Sequence, residues 1–255
     1  MTSNSPRAFV RSAVAPLFAE PHVSSVQISQ LLAGHRVELL EERDTWWCVR
    51  GVDLYEGWMH RGYLDGDDGD AEQRSRYDRL ALGCVVMRDD VRRALPLGAY
   101  LAESDHVASG EAIDIARQRE HFPLEAAAIT RTARCYFEGT SYLWGGVTPW
   151  GADCSGLVQA VFALHGRLLP RDAWQQASEG VAAETNPLDA REGDLLFFSD
   201  RADHRVTHVA IALGAGGIVH LALGRGGFAV EDLSRSDDAY VSALVERFVG
   251  ARRVL

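Results

Sequence analysis

The sequence predicts an α+β protein in which an all-β region precedes a domain of mixed helices and strands. Three observations favour this class. Before Pro123 the apolar runs are short and separated by turn signals, after Pro123 they follow helical spacing, and from residue 194 short β-branched runs return. Helices followed by antiparallel strands are typical of α+β domains. At 255 residues the chain is long enough for two or three small domains.

Residues 8–66 and 77–122 are predicted as two small β units in tandem. In the first, the runs HRVELLEE, TWWCVRG and YEGWMHRGYL predict antiparallel strands, with Asp44 and Gly51 near the turns. In the second, LALGCVVM and RRALPLGAYLAE predict further strands. The acidic, glycine-rich stretch 65–76 is typical of a linker.

Residues 123–255 are predicted as the α+β domain. The run LEAAAITRTARCYFEG predicts a helix ending at Gly139, CSGLVQAVFAL a second helix and LPRDAWQQASEG a short third one. Strands are predicted at 194–198, 206–214, 217–224 and 228–233, and in the C-terminal run ending GARRVL. The turn sequence GAGG predicts that the second and third of these strands pair as a hairpin.

Cys154 is the strongest functional candidate, because it lies where the glycine-rich run YLWGGVTPWGAD meets an amphipathic helix. The positive end of a helix dipole and its free N–H groups lower a thiol pKa, and the thiolate is the nucleophilic form. We therefore expect Cys154 to be activated. The other three cysteines, Cys48, Cys84 and Cys135, are expected to be small core residues.

A nucleophilic cysteine needs a neighbouring base. His208 lies in an apolar strand, VTHVAIAL, and alone it is more typical of a hydrogen-bonded core histidine. His220 lies in the partner strand, so the hairpin would bring the two rings within about 8 Å, and this pairing favours catalysis. His204 is expected to be solvated. His165 is expected to be a cation at the C-terminal end of the Cys154 helix, about 16 Å from the thiol.

Composition excludes several functions. The net charge is −10 and no basic patch is present, which disfavours nucleic-acid binding. No apolar run has membrane-spanning length, and no cysteine or histidine cluster has zinc spacing. Near the N-terminus a mildly apolar stretch is broken by Arg11 and Pro16, unlike a signal peptide. Together with four cysteines in no disulfide pattern, this predicts a cytoplasmic protein.

The ordered motifs Y-x-W-G-G, G-x-D-C-S-G-L-V, L-P-R-D, G-D-L-L-F-F and T-H-V-A-I, with a second histidine a dozen residues on, resemble the NlpC/p60 family of cell-wall cysteine peptidases. This resemblance covers about residues 123–250 and implies a papain-like α+β fold. It implies Cys154 as nucleophile, His208 as general base and acid, and His220 as the orienting third residue. It implies no metal or organic cofactor.

The upstream region resembles bacterial SH3-like domains, closely at 34–64 and more loosely at 77–122. The expected architecture is therefore a papain-like catalytic domain preceded by two small all-β SH3-like barrels. Family members with this arrangement resemble γ-D-glutamyl-L-diamino-acid endopeptidases, which recycle murein peptides and require a free N-terminal L-alanine.

The resemblance also implies residues that bind the substrate. Tyr142 would lie near the oxyanion, although an aromatic wall is an equal alternative. Asp172 would bind the substrate amine, with Asp153 and Ser155 making nearby polar contacts. A helix N-cap is the alternative for Asp172, and one residue can do both. Arg171 is expected to be a structural partner of a carboxylate.

The first SH3-like domain is implied to contribute to the same cleft. Tyr63 resembles the tyrosine that closes it, and ordinary strand packing is the alternative. An acidic residue of this domain is also implied to bind the amine, and Glu41, Glu42 and Glu56 all stay open.

The expected function is therefore hydrolysis of the γ-D-Glu–diamino-acid amide in a murein-derived tri- or tetrapeptide. An amidase or acyltransferase on the same scaffold is one alternative. A non-catalytic wall-binding protein that acts through its SH3-like domains is another.

Overall fold

A computed structural model describes residues 6–66 and 77–255. The chain folds as two compact units that divide after Gln118, a few residues before the predicted start of the α+β domain. The linker predicted at 65–76 lies outside the described residues, except for Asp65 and Gly66.

The first β unit is a seven-stranded antiparallel sheet with the strand order β3-β2-β6-β5-β4-β1-β7. Its strands are β1 Arg7–Val10, β2 Val14–Phe18, β3 Gln27–Leu32, β4 Arg36–Arg43, β5 Trp46–Arg50, β6 Glu56–His60 and β7 Leu64–Gly66. The three strands predicted here correspond to β4, β5 and β6. Asp44 has a φ of +53° between β4 and β5, which marks the tight turn there. Apolar side chains such as Val10, Val37 and Met59 fill the core.

The second β unit is smaller and is built on one long strand. Its strands are β8 Tyr77–Arg88, β9 Val91–Leu95, β10 Tyr100–Ala102 and β11 His106–Asp114, and the other three all pair with β8. The carboxylate of Asp105 is buried, and it accepts two hydrogen bonds from Arg88 and one from the backbone N–H of Ala102. This network closes the turn between β10 and β11.

The second compact unit combines five helices with a six-stranded antiparallel sheet among its described residues. Its helices are α1 Gln118–His121, α2 Ala126–Phe137, α3 Cys154–Leu164, α4 Ala173–Gln176 and α5 Ala239–Glu246. Its strands are β12 Val147–Thr148, β13 Gly151–Ala152, β14 Val181–Ala182, β15 Leu195–Phe198, β16 His208–Gly214, β17 Gly217–Ala222, β18 Gly227–Asp232 and β19 Phe248–Arg253.

The main sheet has the order β14-β19-β15-β16-β17-β18, and β12 and β13 form a separate two-residue pairing. The predicted hairpin is confirmed, because β16 pairs with β17 and Gly214 lies opposite Gly217. The α+β class and the all-β N-terminal region are confirmed as well. Residues of the sheet such as Phe198 and Ala210 pack against Val241 and Leu244 of α5.

Helix α5 was not predicted from the sequence. Asp238 caps it by accepting hydrogen bonds from the N–H groups of Tyr240 and Val241, a start signal that the sequence does contain. Val241 and Leu244 then give the apolar spacing of a helix.

Two side-chain expectations are wrong. Cys135 is exposed on the outer face of α2 rather than buried in the core. His165 is 2% exposed and lies within hydrogen-bonding distance of the carbonyl of Pro123 and the hydroxyl of Thr132. Burial lowers the pKa of His165, so it is not the predicted cation. His204, by contrast, is exposed as expected.

Within the described part of the chain, we find no helix with both the length and the apolar character needed to cross a bilayer.

Candidate active site

The carboxylate of Asp153 fixes the start of helix α3. Its Oδ1 accepts the N–H of Gly156 at 2.8 Å, which caps the helix, and its Oδ2 accepts the N–H of Gly145 at 2.8 Å. The Gly145–Gly146 loop therefore lies directly against the first turn. A Cβ on Gly156 would come within 2.0 Å of the carbonyl oxygen of Gly146, so this contact needs glycine.

Arg171 neutralises the buried Asp153. Its guanidinium donates to Oδ1 and Oδ2 of that carboxylate at 3.0 and 2.7 Å and to the hydroxyl of Ser155 at 2.9 Å. Arg171 is 1% exposed and Asp153 is 6% exposed. Two parallel N–H···O bonds in a dry site form a strong, directional ion pair. The expected structural role of Arg171 is thus confirmed.

Asp153 and Ser155 are engaged by contacts within the protein, and their predicted polar contacts near the substrate stay predictions. The carboxylate of Asp153 accepts five internal hydrogen bonds: two from Arg171, two from backbone N–H groups and one from Ser155. An ionised carboxylate offers about four lone-pair sites, so none is left for an amine. The Ser155 hydroxyl is buried and engaged by both partners. The two side chains connect the glycine loop, the first turn of α3 and Arg171.

Cys154 is the first residue of α3 and is 7% exposed. Its thiol is positioned to accept hydrogen bonds from the backbone N–H groups of Val209 and Ser155. Val209 directly follows His208 in strand β16, so the sulfur lies against the end of the strand that carries the predicted base.

His208 and His220 form a hydrogen-bonded pair. Nε2 of His208 lies 2.9 Å from Nδ1 of His220, and the ring centroids are 5.0 Å apart. The spacing expected from the hairpin is therefore confirmed. His220 is completely buried, whereas His208 retains some exposure. For Nδ1 of His208 to accept a proton, its Nε2–H must donate to Nδ1 of His220.

The expectation of a lowered thiol pKa is wrong for this site. Burial raises the pKa of Cys154 to about 12, and the nearby Asp153 carboxylate adds to the increase. The hydrogen bonds from Val209 and Ser155 act in the opposite direction but are outweighed. Burial also lowers the pKa of His208 to about 3, with a further contribution from His220. Cys154 and His208 are therefore both neutral at neutral pH.

Tyr142 lies close enough to Cys154 and Asp153 for their charges to act on its hydroxyl. Burial raises the pKa of this hydroxyl, and both neighbours contribute. The backbone N–H of Tyr142 donates to the carbonyl of Gly226 at 3.0 Å, which ties its loop to the strand region. A phenol that stays protonated can donate a hydrogen bond beside the sulfur.

Asp172 caps the short helix α4 through a capping box with Gln175. The N-cap alternative is confirmed, and the proposed contact with the substrate amine stays a prediction. Asp172 follows Arg171 directly, so the buried ion pair also fixes its position. Gln176, a residue that the sequence analysis missed, donates to the carbonyl of Ser155 at 3.1 Å and joins α4 to α3.

The residues expected from the first SH3-like domain have local partners. Tyr63 packs partly buried against the core of its own barrel. Glu41 accepts a hydrogen bond from Arg43, and Glu56 accepts two from Arg50, whereas Glu42 is exposed. Their predicted contacts with the substrate stay predictions.

Comparison with known proteins places both parts of the chain. The sequence profile of the NlpC/P60 family matches residues 139–245, and that of the bacterial SH3 domain matches residues 12–65. Residues 139–245 therefore form an NlpC/P60 domain, and residues 12–65 form a bacterial SH3 domain. The expected papain-like fold of the α+β domain is confirmed, and curated relatives that match the chain are named as peptidases.

Two relatives and one solved structure illustrate the similarity. Gamma-D-glutamyl-L-lysine dipeptidyl-peptidase of Bacillus cereus is 34% identical over 140 residues, which are 54% of this chain and only 40% of that protein. Dipeptidyl-peptidase 6 of Lysinibacillus sphaericus is 29% identical over 91% of this chain and 94% of its own length. A crystal structure of an NlpC/P60 family protein from Bacillus cereus shares the fold with a TM-score of 0.80 at 20% identity, covering 98% of this chain and 99% of that one.

The buried site predicts that Cys154 is a neutral thiol in the free protein. We expect no thiolate absorbance from it at neutral pH, measured as the ultraviolet difference between wild type and Cys154→Ser. Alkylation of Cys154 by iodoacetamide, followed by mass spectrometry, should keep accelerating beyond about pH 8.5, the ordinary pKa of a free cysteine.

Exposed Cys135 provides the internal reference for alkylation in the same sample. A Cys154 thiolate signal at neutral pH would contradict the prediction that Cys154 and His208 are both neutral. So would an alkylation rate of Cys154 that stops rising at a lower pH than the rate of Cys135.

Proposed function

We propose that this protein is a cysteine endopeptidase that hydrolyses the γ-D-Glu–diamino-acid amide of murein peptides carrying a free N-terminal L-alanine. One observation carries the chemistry: Cys154 begins a helix against the strand end that presents the hydrogen-bonded His208–His220 pair. The relative named gamma-D-glutamyl-L-lysine dipeptidyl-peptidase supports the substrate class. Action in the cytoplasm, expected from the sequence, is part of the proposal.

In the first half of the reaction, Sγ of Cys154 attacks the carbonyl carbon of the amide. Because the resting thiol is neutral, its proton moves to Nδ1 of His208 as the S–C bond forms. The resulting imidazolium donates this proton to the leaving amine when the C–N bond breaks. The diamino-acid peptide departs, and a thioester joins L-Ala-γ-D-Glu to the enzyme.

In the second half, His208 acts as a base toward water. Water attacks the thioester carbon, its proton moves to His208, and the departing sulfur of Cys154 takes a proton back. The products are L-Ala-γ-D-Glu and the remaining diamino-acid peptide. His220 keeps the ring of His208 oriented through both steps by accepting its Nε2–H.

Two donors can stabilise the oxyanion of the tetrahedral intermediates. The N–H of Cys154 belongs to the first turn of α3, where N–H groups lack partners within the helix. The hydroxyl of Tyr142, protonated and beside the sulfur, is the second donor. Loss of a single oxyanion donor typically costs about 10²–10³-fold in kcat.

Asp172 is the residue proposed to bind the free α-amino group of the substrate. A desolvated ammonium requires an anionic or carbonyl partner. Among the two aspartates near the nucleophile, Asp153 is saturated by internal hydrogen bonds, while Asp172 is only partly buried at the start of α4. The Asp153–Arg171 pair places Asp172 next to the beginning of α3.

The decisive test is cleavage of L-Ala-γ-D-Glu-diamino-acid tripeptides, followed by mass spectrometry of the products. We expect release of L-Ala-γ-D-Glu by the wild type and no turnover by Cys154→Ser, because the hydroxyl of serine is a far weaker nucleophile here. The N-acetylated tripeptide should be cleaved poorly.

Three outcomes would redirect the assignment. Unchanged turnover by Cys154→Ser would eliminate the mechanism. Equal turnover of free and N-acetylated peptides, or transfer to an added amine instead of water, would favour the amidase or acyltransferase alternative. Binding to intact sacculi without cleavage of any peptide would favour a wall-binding protein.

Asp172→Asn isolates the contact with the amine. We expect kcat/KM for the free tripeptide to fall about 10- to 100-fold, because a hydrogen bond to a charged group is worth about 1.5–3 kcal/mol. Asparagine caps helices about as well as aspartate, so the melting temperature should change little. Turnover of the N-acetylated peptide is the internal control and should be the same in both proteins. A normal kcat/KM for the free peptide in the variant would assign Asp172 to capping alone.

A further inference from the structure

Nε2 of His220 is a buried nitrogen without a hydrogen-bond partner among the described residues. The side chain of His220 is fully buried, and its other nitrogen is engaged by His208. A buried polar nitrogen left unpaired is costly and calls for a physical explanation.

The carboxylate of Glu231 lies close to this nitrogen, with Oε1 3.9 Å from Nε2. His220 on β17 pairs directly with Ala229 on β18. Glu231 comes two residues after Ala229 in the same strand, so it is a diagonal neighbour of His220. Diagonal partners lie on the same face of a sheet and are within reach of long side chains. At 3.9 Å the contact is electrostatic rather than a formed hydrogen bond.

Arg225 holds the Glu231 carboxylate in place. Its guanidinium donates to Oε1 at 2.7 Å and to Oε2 at 3.2 Å, and it also donates to Asp238, the N-cap of α5. The same guanidinium lies 4.4 Å from the ring centre of Tyr240. The side chain of Glu231 is only 10% exposed. The carboxylate is therefore a fixed, largely buried charge rather than a mobile surface group.

The position of this charge determines which tautomer of His220 is stable. A carboxylate only accepts hydrogen bonds, so it favours the form of His220 that carries its proton on Nε2. Nδ1 of His220 then has a lone pair and must accept Nε2–H of His208. This leaves Nδ1 of His208 without a proton, which is the form that can receive the proton of Cys154.

We propose that Glu231 is a positioning residue of the catalytic machinery: its carboxylate fixes the tautomers of His220 and His208 and stabilises the positive charge that develops on the pair. The proposal rests on the proposed function for its catalytic part and on the geometry alone for its tautomer part. Hydrogen bonds that are long in a ligand-free site often tighten as the reaction complex forms. The 3.9 Å contact is expected to shorten in this way.

The surroundings of the pair support this assignment. The charged or titratable groups that face His220 come from three directions: His208 on β16, Glu231 on β18, and Tyr240 on α5, whose ring centre is 6.3 Å away. The pKa of Glu231 is lowered, mainly by His220 and also by Arg225, so it is an anion at neutral pH.

The first test reads the tautomers without any substrate. Nitrogen-15 NMR of the imidazole rings, assigned with His220→Gln, should show His220 protonated on Nε2 in the wild type. In Glu231→Gln the amide can donate as well as accept, so we expect a mixture of tautomers or the Nδ1–H form. The matched control is Asp237→Asn, which removes a carboxylate that pairs with Arg235 on the surface of the same domain.

The second test reads the consequence for catalysis. In Glu231→Gln we expect kcat to fall about 10- to 100-fold and KM to stay unchanged. General acid–base catalysis contributes about 10²–10⁴-fold to a rate, and the loss of Glu231 should remove part of that contribution. The acid limb of the pH profile should move to lower pH, because the imidazolium loses its stabilising charge. Asp237→Asn should match the wild type. If Glu231→Gln fails to fold, Arg225→Lys, which loosens the carboxylate but keeps the charge, should give a smaller change in the same direction.

The outcomes separate the two claims. If the wild type cleaves no tripeptide but the tautomer shifts in Glu231→Gln, the proposed function fails and the role of Glu231 in fixing the rings stands. If His220 carries its proton on Nδ1 in the wild type, or if neither tautomer nor kcat responds to Glu231→Gln, the inference about Glu231 is overturned.

Discussion

The buried ion pair between Asp153 and Arg171 is the contact on which the rest of the candidate site depends. The carboxylate of Asp153 binds the N–H of Gly145 in the glycine loop, the N–H of Gly156 in the first turn of α3, and the guanidinium of Arg171, two residues before α4. Removing two charges from water is unfavourable unless the hydrogen bonding is nearly complete, and here it is. This single cluster therefore fixes the positions of Cys154, which follows Asp153 in the chain, and of Asp172, which follows Arg171.

The same burial that makes the cluster rigid determines the ionisation of the catalytic pair. In a dry site both charged forms are penalised, so the thiol pKa of Cys154 rises while the pKa of His208 falls. A helix N-terminus alone does not overcome this penalty. In the proposed mechanism, charge therefore develops during the reaction, and a fixed group such as the Glu231 carboxylate would stabilise that charge as it forms.

The sequence was sufficient for the histidine hairpin and for many of the elements, although not for helix α5, because apolar spacing and the GAGG turn are local signals. It did not predict the state of the thiol, because burial depends on packing from distant segments such as β16. The ion pair of Asp153 with Arg171 was not predicted for the same reason, since the two residues are 18 positions apart in the sequence. Glu231 carries no local signal either, as only the register of β17 and β18 brings it to His220.

The coupling between Asp153 and Arg171 tests the central claim most directly. It is measured by urea unfolding of Asp153→Asn, Arg171→Met and the double variant, following the transition of the catalytic domain. We expect each single change to cost about 3–5 kcal/mol, because it leaves a buried charge unpaired, and the double variant to cost much less than their sum. Costs that add to within about 0.5 kcal/mol would show that the two residues stabilise the site independently, which contradicts this account.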